Sequence, residues 1–213
     1  MPVATADPPA VTAPALRRAL IAGARRVIAA RDDLNRINVF PVADGDTGSN
    51  LASTLGSVLQ GALSRRSRHI GELLVGIGND AIDGARGNSG AIMAQFLVGL
   101  AEQARNAPAL DARSLADAVR RGADSARAAL AQPVEGTIIS VISAFADALD
   151  EAAGQHAADP KGGFANALQR ARTALADTPK QMVLLQKAGV VDAGARGFVD
   201  WLEGIGEYVD GGP

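Results

Sequence analysis

Apolar residues recur three and four positions apart along most of the chain, which is the spacing of one buried face of an α-helix. Clusters of glycine, proline and polar residues interrupt these runs at intervals. No segment shows a sustained alternation of apolar and polar residues, so the pattern predicts no β-sheet. It predicts helices over about 14–33, from Thr47, over 69–83, from Asn88 or Ser89, from Ser114, from Ile138, over 163–176, over a short piece at 182–185, and over 198–209.

The expected fold class is therefore all-α. About eight helices with short connections predict an antiparallel up-and-down bundle or barrel. The Pro- and Ala-rich residues 1–13 show no helical period and are interpreted as a flexible leader, which places the helical domain at 14–213.

The composition favours close helix packing, because 47% of the residues are hydrophobic but only 3% are aromatic. A core of Ala, Val, Leu and Ile is expected. The net charge of -2 gives no electrostatic footprint for nucleic acid, and no long apolar run predicts a membrane span. The chain has no Cys, and its first residues do not resemble a secretory signal, so a cytoplasmic location is expected. Whether the protein forms a homodimer stays open.

Four glycine-bearing loops carry the most distinctive chemistry. We name them the first to fourth glycine loops: DGDTGSN (44–50), GARGNSG (84–90), PVEGT (133–137) and VDAGARG (191–197). They precede the second, fourth, sixth and eighth long helices. In an up-and-down arrangement every second connection lies at the same end, so we expect all four loops to gather at one mouth. Helix N-termini present free N–H groups and partial positive charge, which suits phosphate.

The first glycine loop places two carboxylates, Asp44 and Asp46, on either side of a glycine. A bound cation would offset their repulsion, and hard oxygen ligands favour Mg²⁺ or Ca²⁺. The alternative interpretation is a solvated turn in which an Asp caps the following helix. An EF-hand is excluded, because the positions that would need a Gly and a Glu hold Ser49 and Leu55.

The other loops also have two interpretations each. Gly84, Gly87 and Gly90 predict either a turn that cradles phosphate or a glycine-rich helix junction. Arg86 and Arg196 could neutralise phosphate charge or could be solvated.

Taken together, the segments LNRINVFPVADGDTGSNL (34–51), GARGNSGAI (84–92), PVEGTI (133–138) and AGVVDAGARGF (188–198) resemble the L-type domain of dihydroxyacetone kinases. The similarity is greater to the N-terminal nucleotide-binding domain of bacterial fatty acid kinases. The segments occur in the expected order over most of the chain.

The resemblance implies a barrel of eight antiparallel helices that binds ATP or ADP at one end, with two Mg²⁺ ions. By this resemblance Asp44 and Asp46 are metal ligands, and Asn38 stands nearest to the family's third, acidic ligand. The implied nucleotide-binding residues are Thr47, Gly48, Ser49, Asn50, Asn88, Ser89, Thr137, Ile138, Asp192, Ala193 and Gly194.

The function expected from this resemblance is a Mg²⁺-dependent ATP-binding kinase domain. It would supply the γ-phosphate to an acceptor held by another domain or protein, and the first candidate acceptor is a protein-bound fatty acid. No residue stands out as a general base. A dihydroxyacetone kinase L subunit is the alternative enzyme, and a non-catalytic helical interaction module is the alternative outside enzymes.

Overall fold

The computed structural model of the protein describes residues 9–155 and 158–211. Within these ranges the chain is almost entirely helical, which confirms the all-α class. The helices are α1 (Ala13–Ala29), α2 (Arg31–Arg36), α3 (Thr47–Ser64), α4 (Ile70–Gly84), α5 (Gly87–Ala104), α6 (Ala112–Ala128), α7 (Ile138–Ala153), α8 (Pro160–Gln181), α9 (Val183–Ala188) and α10 (Ala193–Val209).

The long helices form a closed ring. From α3 to α8 each packs against the next, α10 packs against α8 and α1, and α1 packs against α3. The short helices α2 and α9 lie in the connections that lead to α3 and α10. As a result α3, α5, α7 and α10 all begin at the same end of the ring. None of the described helices is long and apolar enough to cross a membrane.

Several helix boundaries differ from those that the sequence predicts. The first helix ends at Ala29 and a separate short helix follows, with Ala30 between them. Asp111, and not Ser114, caps α6, since its carboxylate accepts a hydrogen bond from the Ser114 N–H at 2.8 Å. Likewise Asp159 caps α8 through the Gly162 N–H, so this helix begins before residue 163.

The predicted start of α5 was also wrong. Helix α5 begins at Gly87, with Arg86 at the N-cap position, and neither Asn88 nor Ser89 is its cap. The Arg86 side chain does not cap the helix. The N-cap residue of α5 therefore provides no side-chain acceptor for the first N–H groups of this helix.

The sequence did not predict any strand, yet two short strands occur. Strand β1 (Val11–Thr12) pairs antiparallel with β2 (Ala109–Leu110). Two residues of the expected leader are thus held against the connection between α5 and α6. Residues 1–8 of that leader, and the last two residues of the expected domain, lie outside the described ranges.

The core consists mainly of Ala, Leu, Ile and Val, as the composition predicts. Most of the few aromatic residues cluster within it, and Phe96 packs edge-on against Phe198 and Trp201. Trp201 is 3% exposed and is a core residue. Beside this cluster an apolar cavity of about 560 Å³ lies at the end of the ring opposite the four glycine loops.

Helices α1 and α10 cross at a pair of glycines. A Cβ atom on Gly204 would lie 2.8 Å from the Gly23 Cα and from the Ala22 carbonyl oxygen, which is closer than real Cβ atoms approach backbone. Gly56, in the middle of α3, has no neighbour within 4 Å of the same position. Of these two positions, only Gly204 needs glycine so that the helices can approach closely.

We expect Gly204→Ala to lower the free energy of unfolding by about 1–3 kcal/mol, because the added methyl group overpacks the α1–α10 crossing. Gly56→Ala is the matched control and should raise stability by about 0.5–1 kcal/mol through helix propensity. Urea unfolding followed by circular dichroism measures both. Equal effects at the two positions would show that the α1–α10 crossing can accommodate a methyl group at Gly204.

Candidate functional site

The four glycine loops line one cavity of about 350 Å³ at the end of the ring where α3, α5, α7 and α10 begin. This confirms the expectation that they gather at one mouth. Eleven of the fourteen predicted site residues line it: Asn38, Asp44, Asp46, Thr47, Asn50, Asn88, Ser89, Thr137, Ile138, Asp192 and Gly194.

The carboxylates of Asp44 and Asp46 are exposed at this cavity. Asp46 occupies the N-cap position of α3, but its side chain makes no capping hydrogen bond. Neither carboxylate has an ion-pair partner among the described residues. No basic side chain in the described residues neutralises these two carboxylates. Two such carboxylates on one cavity wall are a donor set of the kind that Mg²⁺ uses.

The Asn38 side chain is buried, and all four of its hydrogen-bonding positions are used by backbone groups of the connection that leads into α3. Its amide oxygen accepts hydrogen bonds from the backbone N–H groups of Asp46 and Thr47, both at 3.1 Å. Its amide nitrogen donates to the carbonyls of Phe40 and Val42, at 3.3 and 3.0 Å. These contacts do not fit the expectation that Asn38 is a metal ligand, because both acceptor positions of its oxygen are already used.

The predicted residues Gly48, Ser49 and Ala193 do not line the cavity. Gly48 faces α2, where a Cβ atom would lie 2.0 Å from the Arg31 carbonyl oxygen. The Ser49 N–H donates to the Asn35 amide oxygen, and the Ser49 hydroxyl accepts from the Asn35 amide nitrogen, both at 3.0 Å. Of the two glycines in the first glycine loop, Gly48 therefore allows α3 to contact α2.

The α5 N-terminus differs from the other three helix starts. The N–H groups of Gly87, Asn88 and Ser89 donate no hydrogen bond to any residue in the described ranges. Gly87 has a φ of 57°, and a Cβ there would collide with the Asn50 side chain. The turn thus requires glycine, and it leaves three free N–H groups at a helix start, an arrangement that binds anions.

Asp192 caps two helices with one carboxylate oxygen. This oxygen accepts from the Ala195 N–H of α10 at 2.8 Å and from the Ile138 N–H of α7 at 3.1 Å. The Asp192 N–H in turn donates to the hydroxyl of Thr178 at 3.1 Å. The side chain therefore joins the third and fourth glycine loops.

Burial raises the pKa of Asp192 to about 6. The residue is only 4% exposed, and the cost of desolvating its charge exceeds the effect of the N–H groups that hydrogen-bond to it and lower the pKa. Near neutral pH the carboxylate is mainly charged and occupies the N-termini of α7 and α10.

Sequence reasoning missed the apolar part of the wall. It is formed by Phe40, Pro41, Val42, Ile92, Leu130 and Val134, with Gly87 and Gln132 completing the cavity. The run Val39–Val42 beside the two aspartates was a usable signal, because apolar residues in a loop often line a site. Leu130 and Gln132 gave no such signal.

The two loop arginines are not part of the cavity lining. Arg196 donates to Asp200 at 2.9 Å, and both line a separate groove between α1, α2 and α10. Arg86 is exposed and donates to the carbonyls of Asp83 and Ala85. Their contacts provide no basis for phosphate neutralisation.

Comparison with known proteins places the chain in a family. The DAK2 domain model matches residues 41–207, and the chain belongs to this family. An uncharacterized protein of Staphylococcus saprophyticus is 35% identical over 179 residues, which cover 84% of this chain and 32% of that protein. One of Staphylococcus aureus is 33% identical over 186 residues, covering 87% and 34%. The chain thus spans about a third of the length of these relatives.

Solved structures show the same fold. The dihydroxyacetone kinase of C. freundii in complex with AMP-PNP and Mg²⁺ is similar with a TM-score of 0.70 at 15% identity, over 98% of this chain and 36% of that chain. Its native form has a TM-score of 0.65 at 17% identity, over 98% and 37%.

Replacement of Asp192 by asparagine should change how stability depends on pH. A carboxyl whose pKa is raised from 3.8 to about 6 on folding holds its proton longer in the folded state, so its contribution to stability falls as pH rises through that window. The amide in this variant would keep an acceptor oxygen but would not titrate. We expect the stability of the wild type relative to Asp192→Asn to fall by about 2–3 kcal/mol between pH 4 and pH 7.

Urea unfolding of both proteins across this pH range measures the difference. Groups that titrate elsewhere in the chain cancel, since both proteins share them. A difference that stays constant with pH would contradict the raised pKa.

Proposed function

We propose that this chain is a Mg²⁺-dependent ATP-binding phosphotransferase domain. The observation that carries the proposal is the composition of one cavity: the unpaired carboxylates of Asp44 and Asp46 share it with the uncapped start of α5 at Gly87–Ser89. A cation site and an anion site on the same cavity suit a metal–polyphosphate ligand.

The carboxylates of Asp44 and Asp46 would hold Mg²⁺, and the family resemblance implies two ions. Bound Mg²⁺ would neutralise phosphate charge, including charge that develops during transfer. The free N–H groups of Gly87, Asn88 and Ser89 would bind phosphate oxygens. The C. freundii dihydroxyacetone kinase, solved with AMP-PNP and Mg²⁺, supports this ligand class.

The other side of the cavity suits the nucleoside. Leu130, Val134 and Ile138 offer an apolar wall on which a base could lie. Thr137 and Gly194 lie beside it, at the starts of α7 and α10. Negative charge on Asp192 favours placing the phosphates away from these two helices and towards α5.

The acceptor is proposed to reach this site on another domain or protein. If Asp44 and Asp46 hold metal and Asp192 caps two helices, none of the described cavity residues remains as a general base. A carboxylate acceptor needs no base, because it is already ionised and nucleophilic near neutral pH. We therefore propose a protein-bound fatty acid as the acceptor and an acyl phosphate as the product.

Dihydroxyacetone is the second candidate acceptor, and the structural similarity to a dihydroxyacetone kinase favours it. The hydroxyl of this acceptor would need a base from the partner, since none is available here.

Mg²⁺ and ATP together should raise the melting temperature of the protein. At ATP concentrations a hundredfold above Kd, the stabilisation is about 2.7 kcal/mol, or roughly 5–10 °C for a chain of this size. Asp44→Asn and Asp46→Asn should abolish most of this shift, because each removes an anionic metal ligand. Thermal unfolding with ATP alone, Mg²⁺ alone and both ligands makes the comparison.

Asp124→Asn is the matched control, since Asp124 is an exposed aspartate on α6 that does not line the cavity. Its shift should equal that of the wild type. A full shift in the two site variants would exclude the metal assignment, and no shift in the wild type would favour the non-catalytic interaction module.

Transfer of labelled γ-phosphate distinguishes the acceptors. With a fatty-acid-binding protein loaded with fatty acid, we expect a hydroxylamine-sensitive product, because acyl phosphates react with hydroxylamine. With dihydroxyacetone and a dihydroxyacetone-binding partner, a hydroxylamine-stable phosphate ester would indicate the second candidate. The Asp44→Asn protein is the background control in both assays.

A further inference from the structure

We propose that Asn35 and Asn38 are positioning residues for the cation site, and that they cap α3 in place of Asp46 so that its carboxylate stays free for Mg²⁺. The inference rests on the metal role proposed above for Asp46. It also replaces the ligand role expected for Asn38 with a different one.

Asp46 stands where a helix normally receives its cap. An Asp at the N-cap position usually accepts a hydrogen bond from the N–H two or three residues further on, which here means Gly48 or Ser49. The Asp46 side chain makes no such bond. This is unusual for a residue with a strong capping preference. The backbone of Asp46 is helical rather than extended, and two neighbouring asparagines accept N–H groups of this helix start.

Asn35 occupies the capping position from outside the helix. Its amide oxygen accepts the Ser49 N–H at 3.0 Å, which is the third N–H of α3 and one of the two that Asp46 could use. Its amide nitrogen donates to the Ser49 hydroxyl at 3.0 Å, which fixes the orientation of the amide. The absence of a Cβ at Gly48 permits this approach, because such an atom would lie 2.8 Å from the Asn35 oxygen.

Asn38 satisfies the first N–H groups of the same helix. Its oxygen accepts the N–H groups of Asp46 and Thr47, while its nitrogen donates to the Phe40 and Val42 carbonyls. One buried amide thus uses its full hydrogen-bonding capacity across the connection between α2 and α3. The backbone that carries Asp44 and Asp46 is held without any contribution from their carboxylates.

The chemical consequence concerns competition. A carboxylate that caps a helix must give up that bond, or share its charge, in order to bind a cation. By accepting three N–H groups at the start of α3, including that of Ser49, the two asparagines reduce the competition for the Asp46 carboxylate. Cation affinity should therefore depend on Asn35, although Asn35 does not line the cavity.

The test measures binding of Mn²⁺ alone, used as a spectroscopic substitute for Mg²⁺, by electron paramagnetic resonance of the free ion. In Asn35→Ala the Ser49 N–H loses its acceptor, and we expect the Asp46 carboxylate, at the N-cap position, to take its place. We expect Mn²⁺ affinity to fall about fivefold, which corresponds to a capping interaction of about 1 kcal/mol. Asn106→Ala, at an exposed asparagine in the turn after α5, should bind Mn²⁺ as the wild type does.

A double-mutant cycle separates competition from a general loss of structure. In an Asp46→Asn background, Asn35→Ala should have no further effect on Mn²⁺ affinity, because the carboxylate that it redirects is gone. In an Asp44→Asn background the fivefold effect should persist. Urea unfolding of each variant confirms that the protein stays folded at the temperature of the titration.

The outcomes distinguish this inference from the proposed function. If the wild type does not bind Mn²⁺, the metal role of Asp44 and Asp46 fails. If the wild type binds Mn²⁺ and Asn35→Ala binds it equally well, only the capping inference fails. Equal losses in the Asp46→Asn and Asp44→Asn backgrounds would also overturn it, since Asn35 would then act independently of Asp46.

Discussion

The structure depends on how the N–H groups at four converging helix starts are satisfied. Each α-helix leaves its first N–H groups without intrahelical partners, and the ring brings four such ends to one cavity. Asn38 and Asn35 accept the first and third N–H groups of α3, and Asp192 accepts one N–H group from α7 and one from α10. Of these four helices, α5 alone has no acceptor for any of its first three N–H groups among the described residues. This difference supports the start of α5 as the proposed anion-binding position of the cavity.

This arrangement also explains why two kinds of polar side chain occur at the helix starts. Neutral amides cap α3, next to the carboxylates proposed to bind metal, and they add no negative charge that would compete for the cation. A charged carboxylate caps α7 and α10, where the proposed nucleoside side of the cavity lies. The distribution of charge over the helix starts thus separates the proposed cation site, the proposed anion site and the apolar wall.

The sequence predicted the helices and the gathering of the loops because both follow from local spacing and chain order. The apolar positions fix the helices, and alternation along the ring brings every second loop to one end. What it did not predict depends on side chains from other parts of the chain. Asn38 could be matched by position to a metal ligand, but only the folded connection shows that its oxygen accepts the Asp46 and Thr47 N–H groups.

The glycines illustrate the same limit. All glycines in the four loops could be interpreted as allowing a phosphate to approach the backbone. In the structure Gly87 does have a positive φ at the open start of α5, whereas Gly48 allows α3 to contact α2. A Cβ atom added to Gly194 would lie 3.3 Å from the Asp192 carboxylate and 3.4 Å from the Ile138 Cβ. Gly194 therefore serves the close contact between the fourth loop and the helix start that follows the third loop.

Asp192 carries an energetic cost that the rest of the site helps to explain. A carboxylate that is buried and has a raised pKa reduces stability at neutral pH relative to a neutral residue of the same shape. This carboxylate also links the starts of α7 and α10, because one of its oxygens accepts a hydrogen bond from each helix. An amide could accept the same two bonds, but it would leave the partial positive charges of both helices unopposed. A phosphate could then also bind at α7 or α10. The charge of Asp192 therefore supports the proposed orientation of a polyphosphate, with its phosphates at α5 and on the side of Asp44 and Asp46.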